Sequence, residues 1–306
     1  MSHHQIFAMK VNPTKIDNEF NKIFQPSRAR ALLSFSLLLF AWLANEVAIA
    51  WIHDRVPRKD DPLPDLWFSI FPEVPGCIQI AECIILIISV SCIAVMIFHQ
   101  YRWVVVSRSL FCISLSYLFR AICITVIQVP VPSKTTYCAP QSSGSIELIV
   151  GRVLKVAWAL GVEQFRPREL CGDLIVSGHT ICLFGALLTF RRYIPKSLRV
   201  VGKIYHMASF VALACILLAR KHYTIDVIFG YMISTRIFWE YHALAESYHK
   251  GTFESNPLRN CIWSFIVPHI EENVPPPHYF VNRFEVSFGC PIHLNRRKLS
   301  DLKSLA

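Results

Sequence analysis

The sequence predicts an all-α, polytopic membrane protein with six transmembrane helices. Three observations carry that prediction. The chain is 53% hydrophobic with a mean hydropathy of +0.40, more apolar than an ordinary soluble domain. Six apolar runs come close to the roughly 17 to 25 residues that a bilayer core demands. Lys and Arg are strewn between those runs and are not gathered on one soluble face.

In order, residues 1–30 carry no domain-sized apolar pattern and read as a cytosolic N-terminal segment. The predicted spans run from Ala31 to Ile52, Cys77 to Phe98, Leu110 to Val131, Leu174 to Phe190, Val201 to Ala219 and Tyr223 to Tyr241. No small-residue cleavage signal follows the first, so it reads as an uncleaved anchor. Residues 31–245 then form one catalytic membrane domain. Residues 246–306 form a cytosolic tail with Pro275-Pro276-Pro277, further aromatics and the basic run Arg296-Arg297-Lys298, attracted to anionic lipid.

The formal charge of +10 follows topology better than nucleic-acid binding. The N-terminus, even loops and C-terminus hold 19 Lys and Arg, against 10 in the odd loops. Basic residues gather on the cytosolic side. Both termini are therefore placed in the cytosol, and loops three and five on the far side, where two histidines await.

His179 follows loop three in the string Cys-Gly-Asp-Leu-Ile-Val-Ser-Gly-His-Thr, and His222 opens the sixth span in His-Tyr-Thr-Ile-Asp-Val. His222 and Asp226 are i and i+4, neighbours on one helical face. The carboxylate can hold one ring nitrogen while the other stays free, the logic of a base with its orienter. An Asp inside a span costs roughly 2.5 to 3.5 kcal/mol on insertion scales and marks function. A neutral imidazole can attack phosphorus, and a second one can trade protons with the leaving and entering alcohols. Ser177 and Gly178 let backbone N–H groups at the fourth helix's start approach phosphate oxygens. His206, His242 and His249 read as interfacial. No histidine or cysteine cluster completes a metal shell around His-x3-Asp, so neither a metal nor a cofactor is expected.

Ser-Gly-His paired with His-x3-Asp resembles the core of the lipid phosphate phosphatase superfamily. The longer strings, with Pro62-Leu63-Pro64-Asp65 and Tyr117-Leu118-Phe119-Arg120, resemble the sphingomyelin synthase family over roughly residues 31–245. The resemblance implies a lipid phosphate phosphatase-like catalytic core of six spans. It implies transfer of phosphocholine from phosphatidylcholine to ceramide, releasing diacylglycerol through a histidine-bound intermediate. His222, activated by Asp226, becomes the nucleophile, and His179 handles protons. Ser177, Gly178, Arg120, Asp65 and Tyr223 fall to substrate binding. Arg120 is an intramembrane cation with phosphate or Glu82 of the second span as its expected partner. A Golgi or plasma-membrane protein with an exoplasmic reaction centre follows, and the sequence leaves room for a homo-oligomer.

Departures bear on specificity. Lys221 stands where the family carries an acidic residue before the nucleophilic histidine, leaving choline, ethanolamine or another headgroup open. A plain phosphatase usually carries Lys-x6-Arg-Pro, but Arg166-Pro167 has Ala159 in the lysine position. Phosphatase and non-enzymatic lipid transport are the competing functions, and transport leaves the paired histidine strings unexplained.

Loop three also holds an apolar-rich stretch from Ile149 to Gly161, read as an interfacial helix with Arg152 and Lys155 on one face and Trp158 as anchor. Cys138 and Cys171 lie in the same loop, on the side where oxidation is permitted.

Overall fold

A computed structural model describes residues 28–141, 146–158, 170–277 and 280–285. The expectations placed on Ala159, Arg166-Pro167, the N-terminal segment and the basic run at 296–298 lie outside the described residues, as do those on the side chains of Lys155 and Trp158. Among the described residues the fold is helical and contains no strand. The helices are α1 (Arg28–Ile52), α2 (Leu66–Ile70), α3 (Cys77–Phe98), α4 (Arg102–Val126), α5 (Ile146–Trp158), α6 (Gly178–Tyr193), α7 (Arg199–Leu218), α8 (Thr224–His249) and α9 (Val267–Glu271).

Among the described residues, four segments are long and apolar enough to cross a membrane: α1, α3, α4, and α7 with the 3-10 turn before it, Lys196–Leu218. The other two expected spans also form helices. α6 has 16 residues, and α8 has 26 but carries Asp226, Arg236, Glu240 and Glu246.

Boundaries differ from expectation where charge is paired. The third span was expected from Leu110, but α4 starts at Arg102. Arg108, which a hydropathy window counts against the helix, is buried against Glu271. Residues 174–177 were expected to be helical and instead form an irregular loop that bends at 175–176, with Ser177 as the extended N-cap, its Oγ accepting from Thr180 N at 3.3 Å.

α6 is the central rod, touching α3, α4, α7 and α8. Eleven of its 16 residues are buried, as expected of a helix apolar on every face. One cluster joins α3, α6 and α7 through Ile85, Ile88, Leu183, Leu187 and Ile216. Another joins α4, α6 and α8 to the tail through Phe111, Leu188, Phe238, Tyr241, Trp263 and Val267. A third seats α5 on α1, with Ile149 and Val153 packed on Ile49 and Ala121. Arg152 fixes α5 further, donating to Asp54 at 3.0 Å and to the Pro140 carbonyl at 2.6 Å.

Cys138 and Cys171 form a disulfide with a Cα–Cα separation of 5.6 Å. The Cys171 N–H donates to His53 Nδ1 at 2.8 Å, and His53 Nε2 lies 3.0 Å from the Ala139 carbonyl. Burial pushes the His53 imidazole below its ordinary value, keeping it a neutral tie between the end of α1 and the bridged loop.

Candidate active site

The chain enters the site through a strained loop. Gly172 has φ +106°, and a Cβ there would come within 2.5 Å of Val56 Cγ2. Ile175 has φ +75°, a left-handed conformation that a β-branched residue rarely adopts. Its strain is offset locally, because the Ile175 N–H donates to Asp226 Oδ1 at 2.9 Å. Asp226 Oδ2 accepts from Tyr223 N at 2.9 Å, and the Asp226 carbonyl accepts from Ser177 N at 3.0 Å. One residue on the first turn of α8 therefore ties down the loop that feeds α6.

Close approach of the two helices completes the frame. A Cβ on Gly230 of α8 would lie 2.9 Å from both the Ser177 carbonyl and Thr180 Cβ. Only glycine lets the backbones meet so near their N-terminal ends.

This frame brings the expected residues together. His179 Nδ1 lies 3.4 Å from His222 Nε2, with the rings edge-on at 5.6 Å between centroids. On the opposite side of its ring, His222 Nδ1 lies 3.5 Å from Asp226 Oδ2. His222 and Asp226 are fully buried, while the His179 side chain keeps 11% of its surface exposed. Glu82, one of the two partners expected for Arg120, places Oε1 3.6 Å from His179 Nε2. Each imidazole thus has one nitrogen toward a carboxylate and one toward the other imidazole.

Arg120 is 2% exposed, pairs with Asp173, and donates to Asn45 Oδ1 and to the Val176 carbonyl at 3.0 Å. Its guanidinium also lies on the N-terminal turn of α6, where a Cβ on Gly178 would be 3.2 Å from Cζ. The cation therefore braces the 173–176 loop beside the histidines. Asp65 caps α2 through Trp67 N at 2.9 Å and reaches Thr224 of α8, accepting from its N–H at 2.7 Å and its hydroxyl at 2.8 Å. Tyr223 donates its hydroxyl to the Pro130 carbonyl at 2.9 Å and accepts from Leu63 N at 3.0 Å. Asp65 and Tyr223 anchor the 62–65 loop to the start of α8.

Sequence reasoning did not assign Glu82 to His179, Asp173 to Arg120, or any role to Asn45 and His53. Glu82 offered a signal, being an acidic residue inside an apolar run. Asp173 stood in the quoted string without a partner. Among the described residues no group of three or more His, Cys, Asp and Glu could hold a metal ion.

The domain family described as PAP2 superfamily C-terminal matches residues 170–243, from the strained loop through most of α8. Sphingomyelin synthase-related 2 of Caenorhabditis elegans is 57% identical over 244 residues, 80% of this chain and 75% of the relative. Phosphatidylcholine:ceramide cholinephosphotransferase 1 of Homo sapiens is 32% identical over 285 residues, 88% of this chain and 69% of the relative. The Rattus norvegicus protein of the same name is also 32% identical, over 88% of this chain and 68% of its own length. With the histidine pair set between α6 and α8 and this extent of identity, the chain is a phosphotransferase and belongs to the sphingomyelin synthase family.

Proposed function

We propose that the chain transfers phosphocholine from phosphatidylcholine to the primary hydroxyl of ceramide and releases diacylglycerol. The observation that carries this reading is the 3.4 Å approach of His179 Nδ1 to His222 Nε2, with a carboxylate behind each ring. Asp226 holds the Nδ1–H of His222, which leaves the Nε2 lone pair to attack phosphorus. The P–O bond to diacylglycerol breaks as the N–P bond forms, and the proton on His179 Nδ1 passes to the departing oxygen. In the second half-reaction ceramide's hydroxyl returns a proton to His179 and attacks phosphorus, the N–P bond breaks, and His222 is restored. Glu82 steadies the protonated state of His179 through Nε2.

The Ser177 N–H is held by the Asp226 carbonyl, so the phosphate oxygens are met by the N–H groups of Gly178 and His179 that follow it at the start of α6. Arg120, Asp65 and Tyr223 hold the walls of the site, and the Arg120 guanidinium beside Gly178 adds positive potential there.

The catalytic unit spans residues 31–245 in six membrane crossings, with α6 and α8 completing the four apolar helices. Both termini are cytosolic, and the histidines face the exoplasmic side of a Golgi or plasma membrane. The excess of Lys and Arg in the even loops supports this, and so does the disulfide, which ends six residues before Ser177 in a bond that oxidising compartments maintain. A second reading keeps the chemistry and changes the headgroup: Lys221, half-buried and next to His222 in the chain, adds a cation that disfavours a choline ammonium wherever its side chain faces the site.

Incubating the purified chain with labelled ceramide and, separately, phosphatidylcholine, phosphatidylethanolamine or phosphatidylinositol tests both. Labelled sphingomyelin with stoichiometric diacylglycerol from phosphatidylcholine is expected. Product from another donor alone establishes the second reading, and phosphate release without ceramide refutes both.

A further inference from the structure

The end of the bundle remote from the histidines holds a second polar centre. Arg108 precedes Arg120 on α4 by twelve residues, about 18 Å along the axis at 1.5 Å per residue. Tyr193 closes the helix that His179 opens, and His242 follows Asp226 by sixteen residues on α8. Here Glu271 of α9 is 1% exposed, and both its oxygens are occupied. Arg108 donates to it through Nε at 2.9 Å and Nη2 at 2.5 Å, Tyr241 through its hydroxyl at 2.6 Å, and His249 Nε2 lies 2.9 Å away.

Against this cluster lies a cavity of about 200 Å³ lined by Arg108, Arg192, Tyr193, His242, His249 and Phe280. Its charge is unbalanced. Glu271 neutralises Arg108, and Glu246, the acidic residue of the lining, is paired with Lys250 at 2.6 Å. Arg192, whose field also reaches Glu246, makes no ion pair among the described residues. The Glu271 pair takes the Nε–Nη2 edge of Arg108 and Tyr193 takes a further hydrogen bond, which uses three of its five N–H groups and leaves two. The volume falls below the roughly 300 Å³ at which sites for drug-sized ligands begin, so it suits a headgroup and not an acyl chain. Arg191, Arg192, Lys196 and Arg199 cluster where the apolar α6 ends, the position at which basic residues meet anionic headgroups.

We propose that this cavity binds the phosphate of an anionic lipid headgroup in the leaflet opposite the reaction centre. The tail forms part of the wall: Phe280 lies under the Arg108 guanidinium at 5.2 Å, and Asn282 Nδ2 donates to the Arg192 carbonyl at 2.8 Å. A bound phosphate bridging Arg192 and Arg108 therefore fastens the tail to α4 and α6 and stabilises the folded chain.

The test measures the thermal midpoint of the full chain by intrinsic tryptophan fluorescence. One arm compares nanodiscs of phosphatidylcholine alone with discs doped with phosphatidic acid. The other adds inorganic phosphate in detergent against chloride of matched ionic strength. Phosphatidic acid is expected to raise the midpoint, and Arg192→Gln to weaken the effect at least about tenfold in anion concentration. Arg199→Gln, outside the cavity, is expected to keep it. A rise with phosphatidic acid alone assigns the site to a membrane headgroup, and a rise with both anions shows that free phosphate also enters. Arg192 is exposed, so its replacement leaves the core intact, and Arg192→Glu serves as a second variant in which the rise must vanish. No rise with either anion, or a rise that survives both Arg192 variants, overturns the proposal.

Discussion

Asp226 accepts the backbone N–H of Ile175, 51 residues earlier in the chain, at 2.9 Å. The same carboxylate faces His222 Nδ1 at 3.5 Å. Orientation of the His222 ring and shape of the loop that leads into α6 are therefore set by one side chain. Asp226→Asn exchanges an acceptor oxygen for a donor that cannot serve both Ile175 and Tyr223. Turnover should drop roughly 10²- to 10⁴-fold, and the thermal midpoint should fall as well. A variant with unchanged stability and turnover would show that neither contact matters.

The two histidines should separate in a single-turnover experiment with donor lipid labelled in its phosphate. His222→Ala should give no labelled protein, because the N–P bond has no attachment point. His179→Ala should still load, more slowly by about 10²-fold or more, since the leaving oxygen lacks its proton. Equal labelling of both variants and the parent chain would contradict the roles given to them.

Gly230 is the steric hinge between α6 and α8. Gly230→Ala puts a methyl group 2.9 Å from the Ser177 carbonyl and Thr180 Cβ, and overpacking of this kind costs about 1–3 kcal/mol. We expect kcat to fall more than KM rises, because the histidines part while the lipid surfaces remain. Steady-state kinetics in mixed micelles measures the split.

The Cys138–Cys171 bridge closes a separation of 33 residues. Loop-closure entropy for that length gives a stabilisation of roughly 3 to 4 kcal/mol. Dithiothreitol, or Cys138→Ser, should lower the thermal midpoint and reduce activity together, since Cys171 begins the loop that ends at Ser177. Retained activity at a lowered midpoint would uncouple the bridge from the site.

Acid should loosen the tail. Burial alone would raise the Glu271 pKa, but Arg108, His249 and Tyr241 hold it down to about 2, below its ordinary 4.5. A depressed carboxyl contributes stability that is present above its unfolded value and lost as pH falls toward its folded value. Between about pH 5 and pH 2 the tail should therefore become progressively more open to protease. Glu271→Gln should be protease-sensitive at neutral pH and lose that dependence. A flat profile in the parent chain would argue against the buried pair as the latch.

Much of this centre was legible because its residues are local in sequence. Ser177, Gly178 and His179 are consecutive, and helical spacing set Asp226 beside His222, while the loop topology and the family resemblance carried the expectation that the two histidines meet. What escaped was long-range. Arg108 and Glu271 are 163 residues apart, and hydropathy charges each as an isolated ion, which moved the predicted start of α4 by eight residues. His242, read as interfacial, is buried and bonded to the Tyr193 hydroxyl at 2.7 Å. His249, read the same way, holds Glu271. Asp173 and Asn45 became visible as partners of Arg120 only once three separate segments were folded together.

His222 has no exposed surface, whereas His179 keeps a small window. In the proposed mechanism, an intermediate on His222 would thereby be screened from bulk water, and its lifetime would depend on which hydroxyl comes in past His179. On that proposal, fidelity for a lipid acceptor over hydrolysis becomes a matter of access and not of intrinsic reactivity, and widening that window by one small side chain should shift the proposed transfer toward hydrolysis.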